Sequence, residues 1–115
     1  MFERCRILKK ELELERSLTN AAGPMAVIFY ANGCPHSRAI EPLVDRLAER
    51  YRATLEFRRI AIDQCAEAKE QHRVWTVPTF VIFLSGKEMH RLVNEKDQAR
   101  YEAILDQVSA MVAMR

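Results

Sequence analysis

The chain has 115 residues, 49% of them hydrophobic and 30% charged, which fits one globular domain and excludes a disordered segment or a second ordinary domain. Three glycines and four prolines exclude collagen-like, low-complexity and loop-rich disulfide scaffolds. The 18 Lys and Arg against 16 Asp and Glu give a net charge of +2, and the basic residues are spread among acids, so no nucleic-acid-binding cluster is expected.

In chain order, Leu8, Leu12 and Leu18 fit a helical stripe, and the stretch from Lys9 to Arg16 favours helix. A short strand around Arg4–Leu8 ahead of that helix and one continuous helix both fit. Gly23 and Pro24 then break it. Met25 to Tyr30 is a continuous apolar run with branched and aromatic residues, which predicts a buried central strand. Ala31 to Gly33 turns the chain. From Pro35 a helical pattern places Ile40, Leu43, Val44, Leu47 and Tyr51 on one stripe. Pro35 suits a first turn, and Pro42 predicts a kink. Leu55 to Ile62 reads as a second strand. Asp63 predicts the cap of a short helix through about Arg73. Thr79 to Leu84 is a third strand, Ser85-Gly86 a hairpin turn, and Lys87 to Val93 the returning strand. Tyr101, Ile104, Leu105, Val108 and Val112 mark an amphipathic C-terminal helix starting near Asp97.

Strand–helix–strand units need right-handed crossovers and pair in parallel, whereas the late hairpin pairs antiparallel. The expected architecture is a single three-layer α/β/α domain over residues 1–115 with a central mixed sheet. The longest apolar run, Met25 to Ala31, is far short of the ~20 residues of a membrane span, so no membrane contact is expected. The charged N-terminal region lacks the apolar core of a signal peptide, which makes the cytoplasm the expected compartment. The three cysteines, Cys5, Cys34 and Cys65, do not form a disulfide framework. His36, His72 and His90 have no zinc-ligand spacing with them, so no metal is expected, and His72 and His90 read as solvated surface residues.

Cys34 is the most informative residue. It follows a buried strand and a short turn and precedes a helix, so its sulfur lies near unpaired N–H groups and the positive dipole end. Such a place lowers a thiol pKa, and His36 and Arg38 add positive potential. A structural, helix-capping cysteine is the other reading. Val77-Pro78-Thr79 puts a proline at the start of a strand, where a cis bond would turn the preceding backbone outward and a trans bond would merely open the strand. Trp75 beside it reads either as an apolar docking surface or as packing.

Together these segments resemble the thioredoxin family. Phe29-Tyr-Ala-Asn-Gly-Cys-Pro-His-Ser-Arg-Ala-Ile-Glu-Pro42 is similar to its active-site segment, Ile62-Asp-Gln to its third-strand exit, Val77-Pro78-Thr79-Phe80 to its cis-proline loop and Gly86 to its hairpin. The resemblance runs from about Leu8 to Met111 and implies the thioredoxin-like sandwich. It also exposes departures. Ser37 replaces the second active-site cysteine, giving Cys-Pro-His-Ser. Gly33 stands where the family has tryptophan, and Ile28 where many members have a buried acid that assists the second thiol. Cys-Pro-His-Ser and Thr76-Val-Pro78 also resemble glutaredoxins, which keeps glutathione open as a co-substrate; no other cofactor is expected.

The resemblance implies Cys34 as nucleophile, with Pro35, His36 and Ser37 shaping its surroundings. It further implies Val77 backbone pairing with an extended substrate, Pro78 holding that loop, and protein thiols or disulfides as partners of a monomeric chain. Cys65, at the exit of the second strand, reads as a resolving or regulatory thiol or as an unpartnered helix-cap cysteine. Two functions fit: a monothiol exchange protein that forms mixed disulfides, isomerises them or traps thiols, and a non-catalytic binding module.

Overall fold

Residues 25–30 and 79–84 are apolar on both faces of the strand, a pattern that is stable only where both faces are covered. They form β2 (Met25–Tyr30) and β4 (Thr79–Leu84), neighbours inside a five-stranded sheet. The structure is a computed structural model that describes residues 5–114. Its remaining strands are β1 (Cys5–Leu8), β3 (Glu56–Ala61) and β5 (Lys87–Val93), in the order β1-β3-β2-β4-β5. β1, β3 and β2 run parallel, and β4 and β5 add antiparallel. Arg4, where the expected first strand begins, lies outside the described residues.

Helices α1 (Glu11–Asn20) and α4 (Ala66–Gln71) cover one face of the sheet; α2 (Pro35–Ala39), α3 (Glu41–Arg50) and α5 (Gln98–Ala113) belong to the other. On the α3/α5 face Leu43, Val44, Leu47, Tyr101, Leu105 and Val108 pack against Ala26, Ile28, Phe57 and Phe80. On the α1/α4 face Leu14, Leu18, Ala68 and Cys65 meet Val27, Phe29, Ile60 and Val81. Burial of each such Leu, Ile, Val or Phe side chain contributes about 1.5–3 kcal/mol. The Ser85-Gly86 turn closes the β4–β5 hairpin with φ of 54° and 79°, the left-handed pair that a two-residue hairpin requires. Asp97 caps α5 by accepting the Ala99 amide at 3.0 Å. Mixed sheet and two helical layers match the thioredoxin-like sandwich expected.

Four details differ from the sequence reading. The buried face of α1 is Glu11, Leu14 and Leu18, whereas Leu12 is 53% exposed and Leu8 belongs to β1. The helix after the turn is not one kinked rod: it breaks at Ile40 (φ −95°, ψ −2°), two residues before Pro42, whose missing N–H cannot continue the ladder. Asp63 does not cap α4; Cys65 holds that position without a side-chain hydrogen bond. His72 is not a solvated surface group, because its ring lies 5.4 Å from that of Phe29 and 5.7 Å from that of Phe83. Its Nε2 stands 3.2 Å from Glu11 Oε2, and Arg91 donates to its carbonyl at 2.7 Å.

Candidate active site

Parallel strands bring their carboxyl ends, and the loops that follow, to one end of the sheet. Here Tyr30 at the end of β2 pairs with Ala61 at the end of β3, and Phe29 pairs with Thr79 at the start of β4. Three loops therefore meet at one sheet end: residues 31–34, residues 62–65 and residues 75–78. They carry Cys34, Cys65, Trp75, Val77 and Pro78, while Pro35, His36 and Ser37 begin α2 directly after the first.

Cys34 is the N-cap of α2 with extended backbone (φ −94°, ψ 118°), and Pro35 begins the helix. Its amide donates to Ala31 O at 3.2 Å and its carbonyl accepts from Arg38 at 3.1 Å, so the backbone on both sides of the sulfur is held. The side chain is half-exposed. No hydrogen bond from the sulfur closes the cap. The thiol is nonetheless held below its ordinary value, chiefly by the Ser37 amide, whose pull exceeds the opposing cost of burial; the Ser37 hydroxyl and the His36 amide add to it. These are the orphan N–H groups of a helix start favouring the anion.

Ser37 is the buried partner, 1% exposed, and its Oγ accepts the Ala31 amide at 3.2 Å. That bond occupies an oxygen lone pair and leaves the hydroxyl hydrogen free to donate to the sulfur. His36 and Arg38 are exposed beside it. Behind Ser37 lies a cavity of about 10 Å³ lined by Ile28, Tyr30, Ile40, Glu41, Val44 and Arg59. It is at the lower limit for one water. Sequence reasoning missed Tyr30, Glu41 and Arg59 here. The signal was available: the alternation of β3 puts Arg59 on the same face as Phe57.

The Val77–Pro78 peptide is cis, and Pro78 is buried. Thr79 Oγ1 donates to Thr76 O at 2.5 Å and Asn94 N donates to Pro78 O at 2.7 Å, which tie this loop to β4 and to the end of β5. Trp75 is 67% exposed and does not pack into the core; Val93 is 51% exposed. At Gly33, a Cβ would meet nothing within 4 Å. The rim of the site is thus open at Gly33 and apolar at Trp75.

The other two thiols are placed differently. Cys65 lies at the same sheet end, but its side chain is buried in the α1/α4 cluster, on the opposite face from Ile40. Cys5 is 1% exposed, and burial pushes its thiol up to about 11. Among the described residues, no group of His, Cys, Asp and Glu could hold a metal ion. No helix there is long and apolar enough to cross a membrane.

Comparison with known proteins agrees with this fold. The family model described as Thioredoxin matches residues 6–107. Thioredoxin-2 of Saccharomyces cerevisiae is 27% identical over 101 residues, 88% of this chain and 96% of that protein. Thioredoxin M2, chloroplastic, of Arabidopsis thaliana is 29% identical over 86 residues, covering 75% of this chain and 46% of that longer protein. In fold the chain is similar to the Plasmodium falciparum thioredoxin structure, with TM-score 0.81 at 18% identity over 89% of this chain and 97% of that one. The Malassezia sympodialis thioredoxin superposes with TM-score 0.82 at 18% identity over 91% and 90%. The chain belongs to the thioredoxin family, and its membership supports thiol–disulfide oxidoreductase chemistry in general.

Proposed function

We propose that this thioredoxin-family chain is a monothiol exchange protein in which Cys34 alone attacks disulfides of protein substrates. The observation that carries the reading is the pairing of a half-exposed helix-cap thiol, held low by Ser37 and His36, with a hydroxyl where a second thiol would stand. The Cys34 thiolate attacks one sulfur of a substrate disulfide. A Cys34–substrate disulfide forms and the other substrate sulfur leaves as thiolate. Ser37 cannot attack that bond. A second thiol, from glutathione or from the substrate itself, must displace Cys34 and regenerate its thiolate. The net result is isomerisation, trapping or removal of a glutathione cap, with no net oxidation of the chain. The backbone at Val77, held by Pro78, is the substrate-pairing edge, and Trp75 supplies an apolar contact. The chain acts as a monomer, in a reducing compartment, the cytoplasm.

A second reading, a non-catalytic peptide-binding module, draws on Ile28, Gly33 and Ser37, each of which lacks the family's usual group. The pH dependence of Cys34 alkylation by iodoacetamide, followed by mass mapping, separates the two. An apparent pKa well below that of a free thiol supports exchange. A value near ~8.5 overturns it in favour of the binding module.

A further inference from the structure

Asp63 has a residue type that favours helix caps, and it lies just ahead of α4. Yet α4 is capped by Cys65, which makes no side-chain cap bond. The Asp63 carboxylate instead reaches across to the neighbouring loop, where Oδ2 accepts the amide of Asn32 at 3.2 Å. A carboxylate in that place would satisfy an orphan N–H of the helix start, and α4 does without it. Asp63 is anchored on its own side, because Ile62 N donates to Tyr30 O at 2.8 Å and continues the β2–β3 ladder by one step. Two hydrogen bonds therefore lock the loop after β3 to the turn after β2.

That turn is the one that carries Cys34. Within it, Ala31 N–H is held by Ser37 Oγ, Ala31 C=O by Cys34 N–H, and Asn32 N–H by Asp63. Gly33 follows with open space around it and no side chain to pin it. We propose that Asp63 is a positioning residue for Cys34: its carboxylate fixes the Asn32 amide and so holds the turn in the one arrangement that keeps Ser37 against the sulfur. The inference rests on the thiol-exchange reading above and adds a residue to it. The groups that lower the Cys34 thiol are Ser37 and His36, and Asp63 is not one of them, so its influence passes through the turn. A charge-assisted hydrogen bond at an exposed site is modest in strength, and the expected effect is modest in proportion.

The test is the rate of Cys34 modification by iodoacetamide from pH 5 to 10 in wild type, Asp63→Ala and Asp63→Asn, with mass mapping. Asp63 is exposed, so Ala leaves no cavity. In Asp63→Ala the apparent Cys34 pKa moves up and the rate at pH 6 falls three- to tenfold, while rates converge at pH 10 where every variant is ionised. Asp63→Asn keeps an acceptor oxygen and returns the pH 6 rate to within twofold of wild type. Rates in Asp63→Ala equal to wild type at every pH overturn the proposal, as does Asp63→Asn being as slow as Ala. If wild type itself shows an ordinary thiol pKa, it is the exchange reading that fails.

Discussion

Cys34 and Cys65 occupy the same slot in adjacent strand–helix units. Each caps the helix that follows a parallel strand, and both lie at the same end of the sheet. Their environments nonetheless diverge. Cys34 points to the rim, half-exposed, with Ser37 and His36 amides favouring its thiolate. Cys65 turns its side chain into the α1/α4 cluster and is 8% exposed. A helix-cap position alone therefore does not make a reactive thiol; access decides which of two equivalent positions meets a disulfide. The cluster that buries Cys65 is built from α1 and the short α4. His72, just past the C-terminal end of α4, touches Glu11 of α1.

The largest effect should come from comparing the two thiols directly. Brief treatment with substoichiometric oxidised glutathione should modify Cys34 at least ~100-fold faster than Cys65, because a buried thiol reacts only through local opening. Mass mapping gives the ratio. Cys34→Ser should abolish the modification, and Cys65→Ala should leave it within twofold. Preferential labelling of Cys65 would assign the nucleophile to the wrong unit.

How far this contrast is legible in the sequence depends on what each element relies on. β2, β4, the hairpin and the cap of α5 follow from apolar runs, Ser85-Gly86 and Asp97, all local signals. Cys34, Ser37 and Val77-Pro78 are equally readable, since a motif at fixed spacing carries them. The stripe of α1 escapes such a reading because a buried Glu11 looks like a surface residue until its neighbour across the fold, His72, is known. Asp63 fails as a cap for the same reason: its partner, Asn32, is brought to it only by the pairing of β2 with β3. What the sequence hides are polar contacts between segments far apart in the chain.

The Cys65 side of the comparison can be loosened through its cover. Burial, with Glu15 and Glu67 nearby, raises the Glu11 carboxyl from 4.5 to about 7. Burial and Arg91 lower the His72 imidazole from 6.5, against weaker opposing pulls from Glu15 and Glu88. The folded pair thus disfavours both charges. Folded Glu11 keeps a proton that the unfolded chain loses, and folded His72 lacks one that the unfolded chain holds, so the two contributions to the pH dependence of stability oppose each other in the wild type. Removing either partner exposes the other's slope. In His72→Leu, stability should fall by about 2 kcal/mol as pH rises from about 4.5 to about 7, the sign of a raised carboxyl. In Glu11→Gln, stability should fall as pH drops below about 6.5, the sign of a lowered imidazole. Urea denaturation across pH, read as differences from wild type, checks both. Slopes of the same sign in the two variants would contradict the opposed shifts of Glu11 and His72.

The Cys34 side is sharpened by supplying what Ser37 lacks. Ser37→Cys would create a second thiol where the hydroxyl now lies beside the sulfur, and that thiol can attack a Cys34 mixed disulfide and release the substrate as dithiol. Turnover with a protein disulfide and an external dithiol should rise about tenfold, an order-of-magnitude expectation for adding an intramolecular resolving step. The gain is bounded by the surroundings. The cavity behind position 37 is lined by Ile28 in place of a buried acid, so the new thiol has no carboxylate from that position to take its proton. Ile28→Asp added to Ser37→Cys should therefore raise turnover again, most clearly near neutral pH, at a cost in stability from burying a carboxylate at a position 5% exposed. If Ser37→Cys leaves turnover at the wild-type level and oxidation forms no disulfide between Cys34 and the introduced thiol, the hydroxyl at position 37 is not where a resolving thiol would act, and the monothiol reading loses its structural reason.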